Sequence, residues 1–322
     1  QELWQTAGEA MLILHHYPIS PFSEKIRLVL GFKQLAWQSV IIPTIMPKPD
    51  LVALTGGYRK TPVLQIGADI YCDTALICRV LEQREPTPSL YPEGITPALA
   101  DTLAQWADGT LFWAAMGYNL QKAGMQELFA GQPEQAVKDF AADRSAMANG
   151  LARPRASDAT LAYRAYLQRL AALLAGQAFL LGRQPCVADF AAYHPLWFTR
   201  TQVPGMASIL HSAPGVLAWM DRMAAFGHGE TSRLGATDAI AACSLAERAG
   251  SQNDSEFQDD HGIPLGSQVS ITAESFGSEP TQGELVEATR HHYTLRRQDP
   301  RAGVVRVHFP RIGYVLKQEV ST

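Results

Sequence analysis

The sequence predicts an α/β domain, then an all-α bundle domain, then a small all-β module. Over residues 11–84, short β-branched runs alternate with stretches of helical spacing. Over 98–249 the spacing is helical almost throughout, and over 262–320 the two-residue alternation of strands returns. Two segments of different character separate these parts. Residues 84–97, "REPTPSLYPEGITP", hold four prolines and a glycine, and "SQNDSEFQDDHG" is polar and acidic; both read as linkers.

The elements follow in order. "LILHH" at 12–16 reads as a short strand, and a loop with Pro18 follows. Ser20 and Pro21 are the residue types that begin a helix, Ser at the N-cap and Pro at the first helical position. Ile26, Val29 and Leu30 then share one face of a helix that runs to about Lys33. "WQSVIIP" reads as a second strand stopped by Pro43, and "PKPDLVALTGGYRKT" as a loop with one short helical turn. "PVLQIGADIYC" reads as a hairpin around Gly67, and Asp73 caps the helix "DTALICRVLEQ". The second part contains "ALADTLAQWADGTLFWAAMG" as one long helix, with four further helical segments down to "GVLAWMDRMAAF". In the third, Val269, Ile271 and Ala273 alternate with Ser270, Thr272 and Glu274, and "VVRVHFP" alternates likewise. "DPRAG" before it is hairpin-turn chemistry, so this module reads as a curled sheet or small open barrel.

Composition narrows the function classes. With 47% apolar and 18% charged residues, the 322-residue chain is that of a packed globular protein, long enough for two or three domains. A net charge of −4 offers no global attraction to nucleic acid or an anionic membrane, and no apolar run reaches the roughly 20 residues a spanning helix needs. The arginines of the β module (Arg290, Arg296, Arg297, Arg301, Arg306 and Arg311), with His291, His292 and Tyr293 nearby, read as a solvated face with interspersed acids rather than a nucleic-acid surface. The first ten residues lack the basic and apolar regions of a signal peptide, and Met11 reads as a plausible native start. Cys72, Cys78, Cys186 and Cys243 form no C-x-x-C and no zinc spacing, so no metal is expected and reduced thiols in the cytoplasm are. His15 and His16 are adjacent on a strand and point to opposite faces, a weak metal signal.

Four motifs, in order, resemble the cytosolic glutathione transferases over the first 240 or so residues. In "YPISPFSEKIR", Ser20 stands where several classes place a Ser or Cys before a helix with a basic-x-Arg pair, here Lys25 and Arg27. "RKTPVL" stands where the thioredoxin-like fold has a cis peptide before proline, here Pro62. "CDTALI" resembles the family's Glu/Asp-Ser-x-Ala-Ile, with Thr74 for Ser, and "FLLGRQPCVADFAAYHPLWF" resembles its capping-box segment, with Cys186 for the usual Ser or Thr and Asp189 kept.

The resemblance implies a thioredoxin-like glutathione-binding domain, a helical domain and glutathione as co-substrate. Ser20 is then the catalytic residue. Thr61 pairs its backbone with the cysteinyl unit beside Pro62, Asp73 and Thr74 hold the γ-glutamyl end, and Lys60 reaches the glycyl carboxylate. Tyr17, Trp113 and Met116 are candidates for the electrophile pocket, with Trp106 on the same helix. A free thiol of pKa about 8.5 is only ~3% ionised at pH 7, and lowering it ~2 units requires about 2.7 kcal/mol. One hydroxyl donor plus a helix N-terminus is of that order. The implied reaction is attack of glutathione thiolate on a small apolar electrophile, in a homodimer; a lyase, dehalogenase or isomerase would use the same thiolate. The alternative is a catalytically weak binding protein of the same fold whose β module docks a partner.

Overall fold

The computed structural model of the chain describes residues 10–246 and 257–319. Nearly all of the leader and the first part of the acidic linker lie outside the described residues. The first part of the chain runs β1 (Leu12–His16), α1 (Pro21–Phe32), β2 (Ala36–Ile41), α2 (Pro49–Thr55), β3 (Val63–Ile66), β4 (Asp69–Cys72) and α3 (Thr74–Arg84). β1 pairs parallel with β2 and antiparallel with β3, and β3 with β4 forms the expected hairpin around Gly67. The peptide bond Thr61–Pro62 is cis, as the fold requires. His15 and His16 are structural: one ring bonds Gln65 at 2.8 Å and the other Ser39 at 2.7 Å.

The helical domain contains α4 (Pro97–Trp106), α5 (Phe112–Asn119), α6 (Lys122–Leu128), α7 (Glu134–Ala148), α8 (Ala156–Leu173), α9 (Val187–Trp197) and α10 (Pro214–Ala224). The single long helix expected over 98–117 is interrupted at Ala107–Leu111 by a π-helical turn. Such turns recur at functional sites because they re-aim one side chain without ending the helix. Here the turn carries Asp108 toward α1 and α9.

Cys186 begins α9, and Asp189 compensates for its weak capping. The buried carboxylate accepts from the Cys186 N–H at 2.9 Å, the Leu180 N–H at 2.9 Å and the Trp219 indole at 2.8 Å. It thereby ties the preceding loop and α10 to the central helix.

The third part departs from expectation. Residues 230–245, read as helical-domain sequence, form β5 (Glu230–Arg233) and α11 (Ala236–Leu245). β5 pairs parallel with β2 at one edge of the first domain's sheet. It is short and exposed at all four positions, so it carries no apolar alternation to reveal it. Then come β6 (Gln268–Ala273), β7 (Thr281–Ala288), β8 (His292–Asp299), β9 (Gly303–Pro310) and β10 (Tyr314–Gln318). These strands form the all-β region expected there, with β10 pairing back to β6, and they are joined to the first domain. β9 pairs parallel with β4, giving one ten-stranded sheet in the order β10-β6-β7-β8-β9-β4-β3-β1-β2-β5.

Two cores result. One packs α1, α3 and the helical domain around Trp219, Phe190 and Tyr163. The other joins Ile13, Val40, Leu54 and Ile70 of the first domain to Ile240 of α11 and to Val269, Leu285, Val307 and Phe309 of the added strands. Five of the six arginines of this region are paired within the protein, and Arg290 is exposed. Arg296 pairs with Glu284, Arg301 with Asp50 and Arg306 with Glu287, while Arg297 donates to the Ala53 carbonyl and Arg311 to the Thr289 carbonyl.

The Asp189 node gives a direct stability test. Asp189→Ala leaves three buried donors without their acceptor and is expected to lower the unfolding free energy by about 3 kcal/mol, read by urea denaturation. A loss under about 1 kcal/mol would mean those donors find other acceptors.

Candidate active site

The site is assembled at two helix N-termini. Ser20 is the N-cap of α1, buried, with its Oγ accepting from the Ser23 N–H at 3.1 Å. That bond uses one lone pair and leaves the hydroxyl hydrogen to be donated. Tyr17 lines the same cavity: burial raises the Tyr17 pKa, opposed by the Arg144 guanidinium. Arg144 donates to the Tyr17 hydroxyl at 3.1 Å, which polarises it.

At α3, Asp73 is the N-cap at φ 77°, and its Oδ1 accepts from the Ala75 N–H at 2.9 Å. Thr74 Oγ1 accepts from Lys25 Nζ at 3.0 Å, which turns the Thr74 hydroxyl into a donor for any other partner. Lys25 is held beneath the site by Asp108 at 2.6 Å, and Asp108 also meets His194 Nε2 at 2.9 Å. Burial alone would lower the Lys25 pKa, but Asp108 outweighs it and the amine stays charged. Burial would likewise raise Asp108, and Lys25 with His194 holds it below the usual carboxylate range.

Several cations also line the cavity. Arg59 is neutralised by Asp143 and Glu279. Lys48 donates to the Arg59 carbonyl at 3.2 Å and lies 5.6 Å over the Tyr17 ring. Burial, with Arg144 and Arg59 nearby, pushes its pKa down to about 8. Lys60 lies 5.7 Å over Tyr58 and 5.3 Å over Tyr314, and burial lowers it too. Among the described residues neither Lys48 nor Lys60 has a carboxylate within ion-pair distance, and the buried Thr61 Oγ1 has no partner. Two uncompensated ammonium groups and an orphan hydroxyl suit a peptide with free carboxylates.

All nine residues named from the sequence, Tyr17, Ser20, Lys60, Thr61, Pro62, Asp73, Thr74, Trp113 and Met116, line one cavity of about 640 Å³. Trp106 does not: it packs edge-on against Tyr166. Part of the lining is apolar, made by Phe112, Trp113, Met116, Leu128 and Phe198.

A third wall, contributed by the added strands, has no counterpart in any sequence motif. Phe276, in the loop after β6, meets Trp113 edge to face at 5.0 Å, and Arg153 stacks over both rings. Gly277 at φ 72° presses on Lys60 and Met147, where a Cβ would lie 2.9 Å from the lysine stem. Tyr314 at the start of β10 donates its hydroxyl to Asp73 Oδ2 at 3.0 Å. Lys48, standing at the N-cap of α2 before Pro49, was the one missed contact with a local signal.

Comparison with known proteins agrees with this architecture. Residues 14–89 match the glutathione S-transferase N-terminal domain, and residues 129–222 match the glutathione S-transferase C-terminal domain. A solved GST-like protein from Pseudomonas syringae is 43% identical over 96% of this chain and all of its own, with a TM-score of 0.77. FtsZ-localized protein A of Caulobacter vibrioides is 27% identical over 186 residues, 56% of this chain and 73% of that protein. Pyrimidodiazepine synthase of Drosophila melanogaster is 28% identical over 99 residues, 30% of this chain and 40% of that enzyme's length. No described helix is long and apolar enough to cross a membrane. With both domain types matched in order and a solved relative aligned from end to end, the chain belongs to the glutathione S-transferase family.

Proposed function

We propose that the protein binds glutathione in this cavity and activates its thiol for attack on a small apolar electrophile. The position of Ser20 supports this above all. Ser20 caps a 12-residue helix and lines a cavity that also holds lysines, arginines and apolar side chains. The helix end and the hydroxyl donor both favour a sulfur anion over a thiol. Tyr17, polarised by Arg144, is a second donor to the same anion.

The remaining residues position the peptide. Thr61 offers its backbone beside the cis proline, Lys48 and Lys60 face the carboxylates, and Thr74 donates at the N-terminus of α3. The electrophile lies against Trp113, Met116 and Phe276. The sulfur lone pair forms the new C–S bond as the leaving group departs with its electrons. The homodimer and the cytoplasmic location that the family implies belong to the same proposal.

A second reading is favoured by two observations. Tyr314 already occupies one oxygen of Asp73, and a relative bears the name of a protein localised to FtsZ. On that reading the cavity is retained with little turnover and the added strands dock a protein.

Two experiments separate these readings. With glutathione bound, the ultraviolet thiolate absorbance should titrate about 2 pH units below free glutathione. Ser20→Ala should return it toward the free value and lower kcat/KM on an activated aryl halide about 10–100-fold. Glutathione binding without a thiol shift supports the second reading. The other experiment uses S-methylglutathione, whose sulfur cannot ionise. Lys48 is charged below its pKa of about 8, so affinity should be full near pH 7 and fall as pH rises through 8. Lys48→Met should weaken binding at pH 7 and remove that fall. An unchanged profile would place the carboxylate elsewhere.

A further inference from the structure

Outside the cavity, the register of the added strands sets four polar residues in one row. Glu287 of β7 lies opposite Thr294 of β8, Thr294 opposite His308 of β9, and His308 opposite Tyr71 of β4. His292, two residues before Thr294, shares that face.

The hydrogen bonds in this row do not close. His308 Nε2 is 2.7 Å from Asp69 Oδ1, and a carboxylate only accepts, so Nε2 carries the ring proton. With its proton on Nε2, the neutral ring presents a lone pair at Nδ1. The Thr294 hydroxyl lies 2.8 Å from that Nδ1 and 2.9 Å from Glu287 Oε2. One hydrogen therefore serves two acceptors. His292 Nε2 approaches the same Glu287 oxygen at 3.3 Å, while its Nδ1 is held by Thr289 Oγ1 at 3.0 Å.

We infer that Glu287, His292 and His308 form a site for a divalent zinc-type cation, with the Thr294 hydroxyl beside it. Three donor atoms, one from each residue, lie within 4.8 Å of one another. A tetrahedral zinc with bonds of about 2.0–2.2 Å holds its ligands about 3.4 Å apart, so side-chain rotation of about 1 Å closes the site. Every ligand is already oriented from behind. Asp69 backs His308, Thr289 backs His292, and Arg306 donates to Glu287 Oε1 at 2.8 Å. Carboxylate- or hydroxyl-backed imidazoles are the usual outer shell of a zinc site.

Glu287 and Asp69 against Arg306 leave one net negative charge for the cation to meet. The Glu287 and His292 side chains are 14% and 26% exposed, so the ion has a way in from solvent. Because Asp69 belongs to β4 and the ligands to β7, β8 and β9, the ion would clamp the added strands to the first domain's edge.

The test is a Co²⁺ titration of the chelator-stripped full chain, followed by Zn²⁺ competition. One equivalent of Co²⁺ should give a visible d–d band that Zn²⁺ removes, with a Zn²⁺ Kd in the micromolar range or tighter. His292→Ala and Glu287→Gln should each weaken Zn²⁺ at least tenfold, and Asp69→Asn about 10–100-fold. His292 and Glu287 are partly exposed, so their variants still decide the question if His308→Ala does not fold. Zn²⁺ should also raise the Tm of the wild type and not of His292→Ala. No band, no Zn²⁺ binding tighter than about 100 μM, or equal affinity in His292→Ala and Glu287→Gln would overturn the site and leave a hydrogen-bonded cluster only. No ligand of this site lines the glutathione cavity, so glutathione binding reports separately.

Discussion

The parallel pairing of β9 with β4 is the contact on which the rest of the structure depends. It matches Asp69 with Arg306, Ile70 with Val307 and Tyr71 with His308. An edge strand offers a row of unpaired backbone groups, and a protein must cover, charge or shorten it. Here the chain covers its own edge with a strand far away in sequence, His308 reaching Asp69 across 239 positions. The same step brings Val307 and Phe309 onto the face of Ile70 and closes the second core. It also brings β10 and the loop after β6 against residues of the cavity, where Tyr314 reaches Asp73 and Phe276 reaches Trp113.

The cavity's electrostatics follow from that closure. Lys25, at 1% exposure, would be costly to bury alone, and Asp108 with His194 and Thr74 makes its burial tolerable. Arg59 is balanced in the same way by Asp143 and Glu279, the latter supplied by the added strands. Lys48 and Lys60 are left over. They are held by aromatic faces rather than by acids, and burial lowers both. One buried and one half-buried ammonium group without an ion-paired acid, beside an unpartnered Thr61 hydroxyl, suit an anionic ligand.

Much of this was legible in the sequence wherever the signal is local. Ser20-Pro21 marks a helix start, Thr61-Pro62 marks the cis bond, and Asp73-Thr74 marks a second helix start; the structure puts all three in one cavity. Tyr314 and Phe276 could not be read, because their contacts depend on a strand pairing that no local pattern specifies. The all-β character of 262–320 was visible from alternation, but its attachment was not, since an edge looks alike whether its partner is water or another strand. β5 was missed because a polar, four-residue edge strand carries no period. The Glu287, His292 and His308 cluster has no motif spacing either: it exists only through the register of three strands.

The proposed function turns on whether the first domain, the helical domain and the added strands together enclose a glutathione site around Ser20. A crystal structure of the protein grown with glutathione tests this most directly. The expected result is the sulfur within hydrogen-bond distance of Ser20 Oγ, the cysteinyl backbone paired with Thr61, and a carboxylate on Lys48 or Lys60. Glutathione bound away from Ser20, or a cavity without glutathione at saturating concentration, would contradict it.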